Sequence, residues 1–221
     1  MDTPTLHHRP EGIDHLREAQ LRAARSAETV GSFVAGFRAE ARGLIDDGRV
    51  DDGEADERLE TLEAAAKGNE HLRLADLDAN VLGRAQVGGG DGGIELSREV
   101  FANAEDAADV ERAQHVAAHE GAHAEQARLH GTLVVDGEEI DHLLLLEGHA
   151  ELTGNDAVGK GMREHREGQP EETYAEGQRL AVEIIARVGR TEFESVLKGD
   201  GDVTRLQDPL ETPEEERAIA A

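Results

Sequence analysis

The chain has no cysteine and no tryptophan, and only one tyrosine, Tyr174, and four phenylalanines among its 221 residues. Without cysteine there is no disulfide, and any metal must be held by nitrogen and oxygen donors alone. Lysine is scarce as well: Lys67, Lys160 and Lys198 are the only three, and arginine makes up the rest of the 23 basic residues. Against these stand 49 acidic residues, for a formal net charge of −26. A carboxylate-rich, lysine-poor surface suits a protein kept soluble in concentrated salt, where screening removes self-repulsion. We therefore read the chain as halophilic. The same charge argues against nucleic acid and anionic membranes as partners. Long apolar runs are missing too. The longest, Leu143–Leu146, falls far short of the ~20 residues a helix needs to cross a bilayer. Met1–Pro10 carries no apolar segment of the secretory kind. The expectation is a cytoplasmic protein, free or incorporated into a larger particle.

What is present is the motif His119-Glu120-Gly121-Ala122-His123, an HExxH. It lies within Asp106–Leu129, a stretch with no proline and Gly121 as its only glycine. Val110, Ala113, Ala117, Ala118, Ala122 and Ala127 give it the alanine-rich pattern of a buried helix. Asn103 or Asp106 suits its start, and Gly131 sits just past its end. Two histidines four residues apart leave the same helix face about one turn apart. Two ring nitrogens can then reach one Zn²⁺ at bonds of about 2.0–2.1 Å. Glu120 would lie beside the open coordination position, as general base for a water whose pKa the ion lowers.

A third ligand has to be His, Asp or Glu. The apolar run Leu143–Leu146 is followed at once by Glu147, His149 and Glu151. Glu147 and Glu151 are four apart and share one helix face. With Glu147 as ligand and Glu151 as an outer acceptor holding a ligand histidine, both buried carboxylates are satisfied. His115, four before His119, extends the stripe as a buried or bracing residue. His149 turns about 160° away from Glu147 on a helix, toward substrate or solvent.

These residues resemble the gluzincin metallopeptidases, in which an HExxH helix is followed by a glutamate on the next helix. Leu146-Glu147-Gly148-His149-Ala150 looks like the element that supplies the third zinc ligand in aminopeptidase-N-like gluzincins. Glu147-x-x-x-Glu151 is similar to the thermolysin-like pair whose second acid braces a zinc-bound histidine. Thr173-Tyr174-Ala175-Glu176-Gly177 resembles the element whose tyrosine stabilises the oxyanion. The resemblance covers roughly Ile94 to Leu197. It implies zinc held by His119, His123 and Glu147, catalysis by Glu120 and Tyr174, and a peptide or protein substrate. The chain departs from the pattern in the long gap between His123 and Glu147, in Leu146 where asparagine is usual, and in Gly88-Gly89-Gly90-Asp91-Gly92-Gly93 where an exopeptidase element would stand.

The expected fold class is α+β and mostly helical, a zincin-like domain with a small sheet beside the active-site helix. Residues 1–11 read as a flexible arm, 12–75 as an N-terminal helical region, 76–198 as the metallopeptidase domain and 199–221 as an acidic flexible tail. Within 13–45 the pattern is helical, weakened by Gly31 and Gly36, so one helix or two fit equally. Val81–Val87 and Ile94–Ser97 read as a hairpin around the glycine cluster, with Ile94–Ser97 the edge to which an extended substrate adds. Asp136-Gly137 marks a second hairpin turn. Residues 158–172 read as a mobile loop before Tyr174. The rival class is a non-catalytic structural or assembly protein. It would use the metal as a staple and the N-terminal helices as a surface for a protein partner. In that case a fourth protein ligand from His149, Glu151 or Tyr174 would close the site.

Overall fold

A computed structural model of the chain describes residues 11–90, 93–160 and 171–207. The expected arm up to Pro10, most of the expected mobile loop and the acidic stretch beyond 207 lie outside the described residues. Those described form an α+β fold, mostly helical, with two small sheets. None of their helices is long and apolar enough to cross a membrane. The chain divides into two compact units, Met1–Gly83 with Glu95–Gln114, and Arg84–Ile94 with His115–Ala221. The boundary expected near residue 75 therefore differs from the observed one, because Glu95–Gln114 packs with the N-terminal helices.

In the first unit, helices α1 (Glu11–Ser26) and α2 (Val30–Asp46) are separated at Thr29, which caps α2 in a capping box with Ser32. The glycines expected to break the helix lie inside α2 instead. Gly31 is there because the chain passes close by: its N–H donates to the Glu70 carbonyl at 2.8 Å, where a side chain would collide. Helix α3 (Asp52–Ala66), capped by Asp51, and α4 (Arg98–Ala102) complete this layer around Phe33, Phe37, Leu62 and Phe101. Gln20, fully buried, donates to the carbonyls of Phe101 and Ala104 at 2.7 and 2.9 Å.

Strands β1 (Arg73–Ala75), β2 (Gly83–Ala85) and β3 (Ile94–Ser97) form a sheet in the order β1-β3-β2. β2 and β3 are neighbours around the glycine-rich turn, as a hairpin requires. β3 is nevertheless the central strand. It pairs in parallel with β1, and on its other side the Ser97 N–H donates to the Leu82 carbonyl. Both its edges are taken, which corrects the expectation that Ile94–Ser97 is a free edge for an extended substrate.

The second unit holds every residue singled out for chemistry. Helix α5 (Ala107–Glu125) enters it at His115 and stops four residues before the expected end. The reason is the glycine-rich turn. Gly88 and Gly90 donate their N–H groups to the carbonyls of His123 and Ala124, capping the helix there. Strands β4 (Leu133–Val135) and β5 (Glu138–Ile140) form an antiparallel hairpin. Asp136 and Gly137, at φ 52° and 85°, adopt the left-handed pair of a two-residue turn. Helix α6 (His142–Ala157) is capped by the Asp141 carboxylate, and α7 (Glu171–Val188) and α8 (Arg190–Lys198) follow. Of the leucine run, Leu145 is fully buried whereas Leu143 stays exposed at the helix start. Leu133, Leu145, Ile184, Phe193 and Leu197 form the core. Val203 and Leu206, in a 3-10 turn, join it, so residues 199–207 are packed structure rather than part of a flexible tail.

Helices α6 and α7 cross at two glycines. A Cβ on Gly148 would overlap the Gly177 backbone, and one on Gly177 would overlap the Leu144 carbonyl. The glycines in both motif-like elements thus set a helix contact that only a bare backbone permits. Gly148→Ala should force the helices apart and cost about 2–3 kcal/mol. Urea unfolding of the variant against the wild type checks this.

Candidate metal centre

The centre is built from two facing stripes, each with a four-residue repeat. Helix α5 presents His115, His119 and His123, and α6 presents Glu147, Glu151 and Asn155. Each acid lies between two rings. The Glu147 Oε2 atom is 3.5 Å from His119 Nε2 and 3.4 Å from His123 Nε2. Glu151 Oε2 is 3.3 Å from His115 Nε2 and 3.6 Å from His119 Nδ1. Ascending histidines meet descending acids, so the two helices run antiparallel here. Gly154 keeps them close, since a side chain there would collide with the His115 ring.

The two levels of this ladder differ in where their protons sit. At the lower level, His115 Nε2 and His119 Nδ1 can each donate to Glu151, while Asn155 donates to its other oxygen at 3.4 Å. That carboxylate has donors facing both of its oxygens, unlike Glu147 at the upper level, although His115 Nδ1 is buried without a partner. At the upper level, His123 Nδ1 faces Gln126 Oε1 at 2.8 Å. The Gln126 amide donates to the Leu146 carbonyl at 2.9 Å, which fixes which way round it lies. His123 therefore carries its proton on Nδ1, and the Glu151 carboxylate 3.6 Å from His119 Nδ1 favours the same tautomer when that ring is neutral. Both Nε2 lone pairs are left 3.2 Å apart, together facing the Glu147 oxygen. That oxygen is buried and accepts no hydrogen bond.

With both rings neutral, three electron pairs converge with no proton between them, and such a cluster calls for a cation. Separations of 3.2, 3.4 and 3.5 Å match the edge of a tetrahedron with bonds of about 2.0–2.1 Å, roughly 3.3–3.4 Å. His119, His123 and Glu147 could therefore hold a metal ion, and they form one of two such groups among the described residues. In both groups the donors number three.

Titration behaviour follows the same logic. Burial lowers the His119 imidazole, but Glu147 and Glu151 on either side reverse this and raise it to about 9. Burial pushes the Glu147 carboxyl up, and the His119 and His123 rings bring it down to about 2. Glu151 also lies below the ordinary carboxylate range, because His115 and His119 outweigh its burial. Glu120 is buried beside these groups, and the loss of water raises its carboxyl despite the adjoining histidines. Tyr174 stands on α7, three residues before the Gly177 crossing, with its ring 5.9 Å from that of His119. Burial raises its hydroxyl, and Glu147, Glu120 and Glu151 add to the effect, so the hydroxyl keeps its proton.

The structure thus brings His119, His123, Glu147, Glu151, Glu120 and Tyr174 into one neighbourhood. His149 departs from the expectation. It is buried and packs against Phe193 with ring centroids 5.9 Å apart, facing neither solvent nor an open cleft. Gln126 went unnoticed in the sequence, although its i+3 spacing from His123 carries the signal. Asn155, four after Glu151, repeats that lesson. The chain matches no known family model, no curated protein and no solved structure.

The metal-free protein should show a two-sided pH profile. His119 is raised from 6.5 to about 9, so its stabilising contribution is complete below 6.5 and fades as pH climbs through 9. Glu147 is lowered from 4.5 to about 2, so its contribution is complete above 4.5 and fades as pH falls toward 2. With chelator present, the unfolding free energy from urea titrations should peak between pH 4.5 and 6.5 and fall by about 2–3 kcal/mol by pH 9. Saturating metal should reverse the alkaline fall, because the ion replaces the extra proton.

Proposed function

We propose that the chain is a zinc-dependent metallopeptidase of gluzincin type, hydrolysing peptide bonds in a peptide or protein substrate. In this reading the second unit is a zincin-like arrangement, with the HExxH motif on α5, the third ligand on α6 and the tyrosine on α7. The observation that carries it is the set of three bare donor atoms at tetrahedral spacing, with a buried glutamate and a protonated tyrosine beside them. Two imidazoles and one glutamate are one of the donor sets that hold catalytic zinc. When bound by His119, His123 and Glu147, zinc would polarise the scissile carbonyl and acidify water.

The remaining steps belong to the chain's own groups. Glu120 takes the proton of the attacking water and returns it to the leaving amine. Its raised carboxyl brings its basicity nearer to what neutral pH demands. The Tyr174 hydroxyl donates a hydrogen bond to the carbonyl oxygen as it becomes negative. Glu151 and Gln126 hold the two ligand rings in the tautomer that presents Nε2.

The count of three donors among the described residues favours this over a structural staple, which four protein ligands would close. Two of the candidates for a fourth bond are engaged elsewhere. Glu151 serves the far side of His119, and His149 faces Gln126.

Glu120→Gln should keep one equivalent of zinc while lowering turnover about 10²–10⁴-fold. A peptide-library digest at high salt, read by mass spectrometry alongside metal analysis, checks both. Undiminished turnover in the variant would remove Glu120 from the mechanism. A zinc-loaded wild type that cleaves nothing would favour the staple.

A further inference from the structure

We infer that His149 is a positioning residue that acts through Gln126 on the ligand His123. This rests on the reading that His119, His123 and Glu147 hold a metal. It adds a residue with no place in the ligand set or in the proposed proton transfers.

Gln126 is fully buried and His149 is 3% exposed, so neither has water to fall back on. The Gln126 Nε2 group lies 2.9 Å from the Leu146 carbonyl and 3.0 Å from His149 Nδ1. A carbonyl oxygen can only accept, so the amide nitrogen must face that side. One of its two hydrogens goes to Leu146 and the other to His149. His149 Nδ1 then bears a lone pair, and its own proton sits on Nε2. With both amide hydrogens committed, Gln126 Oε1 has one orientation left, aimed at His123 Nδ1 at 2.8 Å. The amide can only accept there, so His123 must donate from Nδ1 and present a bare Nε2 to the metal. The chain of constraints runs from His149 to Gln126 to His123.

His149 contributes one anchor of this amide and the Leu146 carbonyl the other. Without His149, one buried amide hydrogen is stranded, and the side chain gains from rotating away to find a partner. His123 would then lose the acceptor that fixes its ring. The ring of His149 is itself held by its packing on Phe193 of α8. The other ligand ring, His119, is braced by the carboxylate of Glu151 directly and has no comparable intermediary.

The test is a double-mutant cycle on zinc affinity, measured by chelator competition on the full chain. Gln126→Met should weaken zinc binding about 10–100-fold, as loss of an outer partner of a metal ligand does. His149→Phe keeps the aromatic packing but removes the acceptor, and should weaken binding about 10-fold. The double variant should be no weaker than Gln126→Met alone. His149→Asn places an amide oxygen near the position of Nδ1 and should recover most of the affinity. A merely structural role for His149 would not distinguish asparagine from phenylalanine in this direction. Additive losses in the cycle, or His149→Phe binding as tightly as the wild type, would overturn the inference while leaving the metal site intact. A wild type that binds no zinc would overturn both. If His149→Phe does not fold, asparagine binding no better than Gln126→Met would by itself overturn the link.

Discussion

Everything in the second unit's site depends on one electrostatic conflict: with both rings neutral, two imidazole lone pairs and a carboxylate oxygen face one another in a buried space with no proton to reconcile them. The acceptors behind the rings create the conflict. Glu151 and Gln126 each draw a proton to Nδ1, so both Nε2 atoms are bare where they meet Glu147. Buried groups of like polarity are tolerated only when a counter-charge is supplied. A divalent cation does this for all three atoms at once. In its absence an added proton does so in part, which is why His119 rises to about 9.

The fold holds this arrangement with backbone rather than with side chains. Glu147 and Gly148 are adjacent, as are Glu176 and Gly177, and the glycine pair lets α6 and α7 touch. Tyr174 is carried to the ring of His119 by the same helix that makes this contact. At the other end of the motif helix, the glycine-rich turn closes α5 just after His123 by donating to its last carbonyls. Helix crossing, helix end and donor geometry are therefore one mechanical unit, in which glycine recurs because the crossing leaves no room for a Cβ and because Gly88 and Gly90 of the turn adopt positive φ.

Much of the site could be read from spacing alone. Histidines at 115, 119 and 123 and acids at 147 and 151 repeat every four residues, so each set had to share a helix face. The need to satisfy both buried carboxylates pointed to Glu147 at the His119 and His123 rings and Glu151 behind a ligand ring, and the acids lie in that order; what spacing could not supply was the close fit of the helices. That fit depends on Gly154, which lets α6 close on the His115 ring, and on Gly148 and Gly177, which let α7 close on α6; these roles appear only when a second helix is in place. The end of α5 was misjudged for a related reason. Ala127 and Leu129 continue the local pattern, but a distant turn captures the carbonyls of His123 and Ala124 and ends the helix there. The place of Ile94–Ser97 in its sheet was likewise out of reach, because its parallel partner Arg73–Ala75 lies about twenty residues earlier. His149 illustrates the limit of face arguments. Its angle away from Glu147 was sound, but that face proved to be the core beside Phe193.

Zinc-edge X-ray absorption on the purified chain loaded with one equivalent of metal probes the conflict and its resolution most directly. The expected spectrum has two imidazoles among about four nitrogen and oxygen neighbours at roughly 2.0–2.1 Å, one of them exchangeable with solvent. Failure to retain the equivalent, or a coordination sphere without imidazole, would contradict the assignment of His119, His123 and Glu147 as a metal centre.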